Sequence, residues 1–305
     1  MTTLDSGPAP AAYDRPQVRV LIPRTLDEAL GLLAADGAAV LGGGVAHTLR
    51  RHDRHPSRPD TLVSVAALPE LAAVTWSERH VTIGAGVRLE AVGADARLAR
   101  VWPVVTEAAG SVATARIRRM VTLGGNIRAA DDSHDPPVGL AAAGAELTVR
   151  SARSTRTLRV TDIADLRADE LIQDVRLPLP GDDGTGESTG SAYEKFLVRG
   201  VWEYACVNVG AVVRVGGAGE SRGLRLAVGS VTGGPVLIDL AGLAAGHAGP
   251  VDAALAEEAA RRAAASVRPY SDVRGSAAYK SHMIAEFARR AITRAALRAA
   301  EGADR

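Results

Sequence analysis

The sequence predicts an α+β protein in two unlike parts, and three observations carry that prediction. Residues 18–44 alternate strand-like and helix-like runs and end in Gly42-Gly43-Gly44. Residues 73–178 enclose helical segments between β-branched hairpins. Beyond a polar stretch at 181–191, three strand-like runs give way to Ala-rich helices.

Each element follows from local chemistry. VRVLI, from Val18, is strand-like, and Thr25 ahead of LDEALGLLAA is a helix N-cap with Glu28 at the capping-box position. Gly37 closes that helix and AAVL forms a second strand, giving a βαβ-type unit with a glycine-rich exit. RRHDRHPSRPD is a polar loop and TLVSVAAL a short buried strand. From Ala73, AVTWSERHVTIGAGVRLEAV is two β-branched runs about a polar turn, a hairpin. ARLARVWPVVTEAAGSVA is apolar at helical spacing and interrupted at Pro103. VGLAAAGA is helical, ELTVRSARSTRTLRVTDI is a second hairpin, and DELIQDVRLPLP ends the first region. GDDGTGESTGS has no apolar residue and reads as a linker, with a boundary near residue 185. Past it, YEKFLVR, EYACVNVGAVVRV and LRLAVGSV form a three-stranded antiparallel sheet. VDAALAEEAARRAAASV and SAAYKSHMIAEFARRAITRAALRAA are its helices.

Composition bounds the function. With 305 residues, 47% of them hydrophobic and 23% charged, the chain is a globular protein large enough for two or three cores. A formal net charge of +1 is the wrong balance for a dedicated nucleic-acid or membrane-surface binder. Cys206 is the single cysteine, which excludes an intrachain disulfide and any all-cysteine zinc or iron–sulfur site on this chain. No apolar stretch approaches the roughly 18 residues of a membrane span. The first 15 residues lack the basic and apolar regions of a secretory signal and read as a disordered leader. These features point to a cytoplasmic enzyme or binding protein and leave homo-oligomerisation open.

Chemistry concentrates at two glycine turns. Gly42-Gly43-Gly44 and Gly124-Gly125-Asn126 each follow a strand-like run. Such turns offer backbone N–H groups to an anion, and the missing side chains let a phosphate approach. Asn126 adds an amide, and Asp135, nine residues later, a carboxylate suited to polyol hydroxyls. These parts suit a dinucleotide with a sugar-alcohol linker; each glycine pair also suits a plain tight turn. G-G-G-V-A is not the G-x-G-x-x-G pattern of a Rossmann site.

A set of segments in fixed order adds a resemblance. They are LGGG with PDTLVSVAALPEL, IRRMVTLGGNI with Asp135 and Pro136, DELIQDVRLP, YEKFLVR, YACVNVGAVV and SDVRGSAAYKSHM. From about Pro16 to Ala300 the chain resembles the FAD-binding medium (flavoprotein) subunit of the xanthine dehydrogenase and carbon monoxide dehydrogenase family of molybdenum hydroxylases. The resemblance implies a two-lobed FAD-binding domain of the PCMH/vanillyl-alcohol-oxidase-like type at 16–183, with lobes of about 16–71 and 72–183. It implies a C-terminal domain of three-stranded sheet and helices at 190–300. It places Gly42, Gly43, Gly44, Val45 and Ala46 along the diphosphate and Thr122, Gly125 and Asn126 across from them, with His47 and Ala113 completing the set. Asp135 would hold the ribityl or neighbouring hydroxyls, Ile172 would pack near the flavin ring, and Lys195 would approach its pyrimidine edge. A fixed cation there favours reduced flavin.

The chain departs from the family pattern in two places. Relatives continue the first loop as Ala-Gly-Gly-Thr or Ala-Gly-Gly-His with a polar residue next, whereas Val45 and Ala46 stand here. A phosphate-binding side chain is lost unless His47 or Thr48 replaces it, so FAD binds more weakly or the loop is rebuilt. The stretch FLVRGVWEYACVNV is about one residue longer than usual and brings Trp202 and Glu203 near the expected flavin face.

The remaining candidates have plainer explanations. His52, Asp53 and His55 lie among arginines, which favours a solvated loop over a metal site. His134 is a loop cap before it is a general base, and Cys206 is inert packing. Glu203 is either a solvated acid or a gate. The Arg-rich faces of the C-terminal helices read as solvated surface, and Arg116, Arg118 and Arg119 as surface or phosphate-steering groups. Three functions remain open. The first is an electron-transfer subunit working with a molybdopterin-binding large subunit and a 2Fe-2S small subunit and delivering to NAD, oxygen or a quinone. The second is a stand-alone FAD-dependent dehydrogenase or oxidase, and the third a degenerate scaffold without FAD.

Overall fold

Three sheets organise the chain in the computed structural model, which describes residues 18–52, 59–180, 187–200, 202–245, 247 and 249–303. The first contains β1 (Arg19–Leu21), β2 (Ala38–Leu41) and β3 (Thr61–Ser64), all parallel, in the order β1-β3-β2. Helix α1 (Leu26–Leu33) joins β1 to β2. The Thr25 hydroxyl accepts from the N–H of Glu28 at 3.2 Å, while the Glu28 carboxylate reaches past the cap to the N–H of Arg24 at 2.7 Å. Leu26, Ala29, Leu30 and Leu33 pack on Val63, Val65, Leu68 and Leu71. After its glycine turn β2 leads into α2 (Val45–His52), a helix the sequence reading does not assign.

The second sheet is antiparallel: β4 (Val74–Trp76), β5 (His80–Gly84), β6 (Glu146–Arg150), β7 (Thr155–Arg159) and β8 (Leu171–Pro178), in the order β4-β5-β8-β6-β7. Both predicted hairpins are present. The first is shorter than expected, because Leu89–Ala94 forms helix α3; Leu89 and Val92, three residues apart, both turn into the core. The next helical segment breaks where Pro103 requires, into α4 (Ala96–Val101) and α5 (Pro103–Gly110). Trp102 at the break donates its indole N–H to the Pro178 carbonyl at 2.7 Å, tying the helices to β8. Short helices α6 (Ala115–Arg118) and α7 (Leu123–Arg128) precede α8 (Asp135–Ala143), and Gly144 ends α8 at φ 76°.

The third sheet holds β9 (Ser188–Phe196), β10 (Val207–Val215), β11 (Ser221–Gly229) and β12 (Val236–Asp239), antiparallel in the order β12-β11-β10-β9. The three predicted strands gain a short edge strand, β12, and β9 begins inside the predicted linker. Helix α9 (Ala241–Ala245) follows, then α10 (Ala253–Ser266) and α11 (Ala277–Ala303). Helix α11 packs on one face of this sheet and α8 on the other. VNVGAVV is therefore buried on both sides, which is why β10 is a continuous apolar run rather than an alternating one. Among the described residues no helix is long and apolar enough to cross a membrane.

Candidate functional site

A cavity of about 1200 Å³ is walled by the first glycine turn, α7, the end of β9 and the approach to β8. Every residue singled out above for the cofactor lines it: Gly42, Gly43, Gly44, Val45, Ala46, His47, Ala113, Thr122, Gly125, Asn126, Asp135, Ile172 and Lys195.

The first glycine turn packs against Met120–Thr122, the segment that leads into the second. A Cβ on Gly43 would lie 1.8 Å from the Met120 carbonyl oxygen, and one on Gly42 2.5 Å from the Thr122 hydroxyl. Gly44 has φ 80°, a left-handed conformation that reverses the chain into α2. The N–H groups of Gly43 to Ala46 have no protein acceptor among the described residues. His47 and Thr48 do not replace the lost phosphate ligand: the His47 Nε2–H donates to the Val40 carbonyl at 2.8 Å, and the Thr48 hydroxyl donates to the Gly44 carbonyl at 3.0 Å. The first loop thus offers bare main chain.

The second turn behaves differently from the sequence expectation, because it is the first turn of α7 and its N–H groups are already used. Leu123 and Gly124 donate to the carbonyls of Val87 and Ala85, both at 2.8 Å, and Gly125 donates to the Thr122 hydroxyl at 3.2 Å. What this side presents is side-chain chemistry. Asn126 Oδ1 is buried on the cavity wall and has no hydrogen-bond partner among the described residues. An unsatisfied buried acceptor costs about 1–3 kcal/mol, so it points to a ligand.

Asp135 opens α8 with both carboxylate oxygens engaged. Tyr193 donates its hydroxyl to Oδ1 at 2.5 Å and Lys195 its ammonium to Oδ2 at 2.8 Å, with a second Lys195 bond to the Ser111 carbonyl at 3.2 Å. Burial and the Asp135 carboxylate push the Tyr193 phenol well above its ordinary pKa, so it stays a donor. His134 caps the preceding loop as expected, its Nδ1–H donating to the Asn126 carbonyl at 3.0 Å. Arg118 is occupied by Glu90 and by the carbonyls of Val112 and Ala113, which fix Ala113 at φ 40°; Arg116 and Arg119 are exposed.

At the mouth, Trp202, Glu203 and Tyr204 line the cavity. Glu203 folds back onto Arg199, accepting from its N–H at 2.8 Å and pairing with its Nε at 3.0 Å. Arg128 is a wall residue the sequence reading missed: it donates to the carbonyls of Glu170, Ala168 and Arg167 and holds the segment leading to Ile172. Only the DEL motif hinted at this, because Glu170 sits inside it. Asp53 and His55 lie outside the described residues, as does the side chain of His52. Elsewhere among the described residues no three metal-ligating side chains come together.

A dinucleotide-sized cavity, free main-chain donors on one wall and an unpartnered amide opposite define a protein built around a nucleotide cofactor. The model of the FAD binding domain in molybdopterin dehydrogenase matches residues 16–180, and that of the CO dehydrogenase flavoprotein C-terminal domain matches 191–295. The chain belongs to the FAD-binding medium subunits of the carbon monoxide/xanthine dehydrogenase family of molybdenum hydroxylases; its cofactor is FAD and its chemistry that of an oxidoreductase. It is 29% identical to the carbon monoxide dehydrogenase medium chain of Afipia carboxidovorans, over 91% of this chain and 96% of that one. It is 26% identical to the nicotine 6-hydroxylase medium subunit of Paenarthrobacter nicotinovorans, over 93% and 99%. Quinoline 2-oxidoreductase from Pseudomonas putida 86 superposes with a TM-score of 0.82 at 25% identity, over 93% of this chain and 98% of that one.

Proposed function

We propose that the chain holds FAD with its diphosphate on the N–H groups of Gly43 to Ala46, its ribityl hydroxyls toward Asn126 and Asp135, and its ring toward Ile172 and Lys195. We also propose that it is the electron-exit subunit of a complex with a molybdopterin-binding large subunit and a 2Fe-2S small subunit. Bound FAD supplies two-electron redox chemistry, between those partners and NAD, oxygen or a quinone as acceptor. The observation that carries the binding mode is the contrast between the two turns. Among the described residues one keeps the N–H groups of Gly43 to Ala46 free of protein acceptors, as an anion site requires, while the other has used its own and turns a buried, unpartnered amide oxygen to the cavity instead. Thr122 holds the second turn by capping α7, and Gly42 and Gly43 let the turns close on each other. Lys195, fixed by Asp135 and the Ser111 carbonyl, sets an ammonium on the cavity wall. The three core clusters, each centred on one sheet although Leu171 joins that of the first and Tyr193, Val212 and Ala227 that of the second, support lobes at 16–71 and 72–183 and a C-terminal unit at 190–300. The single cysteine supports a partner, because an all-cysteine cluster must then reside on another chain.

The test is absorption spectroscopy on the purified chain with FAD, alone and with candidate partner subunits. Saturable flavin binding, no bleaching by small organic substrates alone, and bleaching once partners are added are the expected results. A chain that bleaches its own flavin with a small molecule is a stand-alone dehydrogenase instead.

A further inference from the structure

The sequence predicted solvated surface for the arginines of α11, and two of them are something else. β9 is an edge strand, and an edge leaves alternate N–H and C=O groups without a strand partner. Here those groups are taken by charged side chains from two helices. The Tyr193 N–H donates to Glu107 Oε2 at 2.9 Å, Arg294 donates to the Tyr193 carbonyl at 3.0 Å, and Arg298 donates to the Ser191 carbonyl at 2.7 Å. The same two guanidiniums converge on Glu107 Oε1, at 2.7 and 2.6 Å. Glu107 belongs to α5, on the cofactor side, and the arginines to α11, where Arg294 also pairs with Glu194 of β9; Glu107 is the carboxylate that ties this α11–β9 contact to α5.

What β9 carries makes the lock functional. Tyr193 and Lys195 point the same way along the strand, and each holds one oxygen of Asp135. The Lys195 ammonium reaches back to the Ser111 carbonyl at the end of α5, so the register of β9 against α5 sets the reach and angle of that bond and of the pair with Asp135. We propose that Glu107, with Arg294 and Arg298, is a positioning clamp that sets where the Lys195 charge stands at the flavin, and through it the reduction potential. This rests on the proposed placement of Lys195 at the flavin's pyrimidine edge. Among the described residues that line the cavity none is a clamp residue, so their contact with the site is through β9.

The experiment measures the potential of FAD bound to the full chain by equilibration with a reference dye. A cation at the pyrimidine edge favours the reduced form, so its displacement lowers the potential. Glu107→Gln is expected to weaken the preference for the reduced form about tenfold, which is about 30 mV for a two-electron couple. Lys195→Met should lower it at least as far, and the double variant no further than Lys195→Met alone, because the clamp then has nothing to place. Arg298→Lys keeps the charge and shortens the bridge, giving a smaller shift of the same sign if Glu107→Gln does not fold. Glu286→Gln, on the same helix but paired among the described residues with Arg289 and Arg290 alone, should leave the potential unchanged. A Glu107→Gln shift that persists undiminished in the Lys195→Met background, or no shift at all, overturns the clamp. No effect of Lys195→Met on the potential overturns instead the placement of Lys195, and the clamp with it.

Discussion

The Met120 carbonyl oxygen stands 1.8 Å from the point a Cβ on Gly43 would occupy, so the first glycine turn touches, backbone to backbone, the segment that leads into the second. A side chain at Gly43 meets main chain that cannot rotate away. Gly43→Ala is therefore expected to cost about 1–3 kcal/mol of stability by forced separation of the turns, and to abolish tight FAD binding. Gly44→Ala meets nothing nearer than the Leu41 side chain at 3.6 Å, yet must hold φ 80°, at about 1–2 kcal/mol. Urea denaturation with a flavin titration separates the two. Gly43→Ala with wild-type FAD affinity contradicts the contact between the turns.

Asn126 carries the opposite expectation, because its buried acceptor has no partner among the described residues. Asn126→Leu removes a buried polar group of similar volume, so the FAD-free protein should be as stable as wild type or slightly more so. FAD should bind about tenfold more weakly, the equivalent of one hydrogen bond of about 1.4 kcal/mol. Calorimetric unfolding without FAD and fluorescence titration with it read the two effects independently. A variant that loses stability without FAD and keeps its affinity shows that the amide serves the fold.

Much of this was legible in the sequence because local chemistry decides it. Thr25 and Glu28 cap α1, Pro103 divides α4 from α5, and the β-branched runs pair as hairpins. Among the cavity-lining residues, the two glycine turns, Asn126 and Asp135 were legible from the residues themselves, whereas Ala113, Ile172 and Lys195 came only from the family resemblance. Less legible were features created by contact across the chain. Nothing local says that the N–H groups of Leu123 and Gly124 will find Val87 and Ala85, or that the His47 ring will fold back onto Val40. Arg294 and Arg298 resemble any solvated helical arginine until Glu107 is brought beneath them, more than 180 residues away in sequence. β12, at four residues, is too short for a period-two signal.

Stability in acid should track Glu170. Its carboxylate is buried and receives two bonds from Arg156, at 2.8 and 2.9 Å. Those bonds, helped by the Arg167 N–H and charge and opposed by burial, hold its pKa down at about 2. Asp272 is also held at about 2, where burial would raise it but bonds from Arg274 and Lys280 prevail. A carboxylate whose pKa falls on folding stabilises the native state fully above its unfolded value, about 4. That stabilisation is lost as pH falls from there toward 2. Glu170→Gln should cost about 3 kcal/mol at pH 7, and the gap to wild type should close below pH 4. Because Arg128 braces the cavity wall on the Glu170 carbonyl, FAD should leave over the same interval. A gap that stays constant from pH 7 to pH 2.5 rules Glu170 out as the acid-sensitive group.

The first loop offers the clearest gain of function. With Val45 and Ala46 apolar and both His47 and Thr48 turned back onto the main chain, no side chain there is free to reach an anion. Ala46 lines the cavity at the second residue of α2, where the helix dipole and neighbouring free N–H groups favour a phosphate oxygen. Ala46→Ser adds one hydroxyl with little volume and little loss of helix propensity. A hydrogen bond to a charged acceptor contributes about 1.5–3 kcal/mol, so FAD should bind at least tenfold more tightly, with the flavin absorption maxima unmoved. Salt offers a second measure: higher ionic strength should weaken wild-type binding, while the variant keeps its advantage because the new bond is short-range. Equal affinity for FAD in the two proteins at every salt concentration would place the diphosphate away from α2 and dismantle the proposed orientation of the whole cofactor.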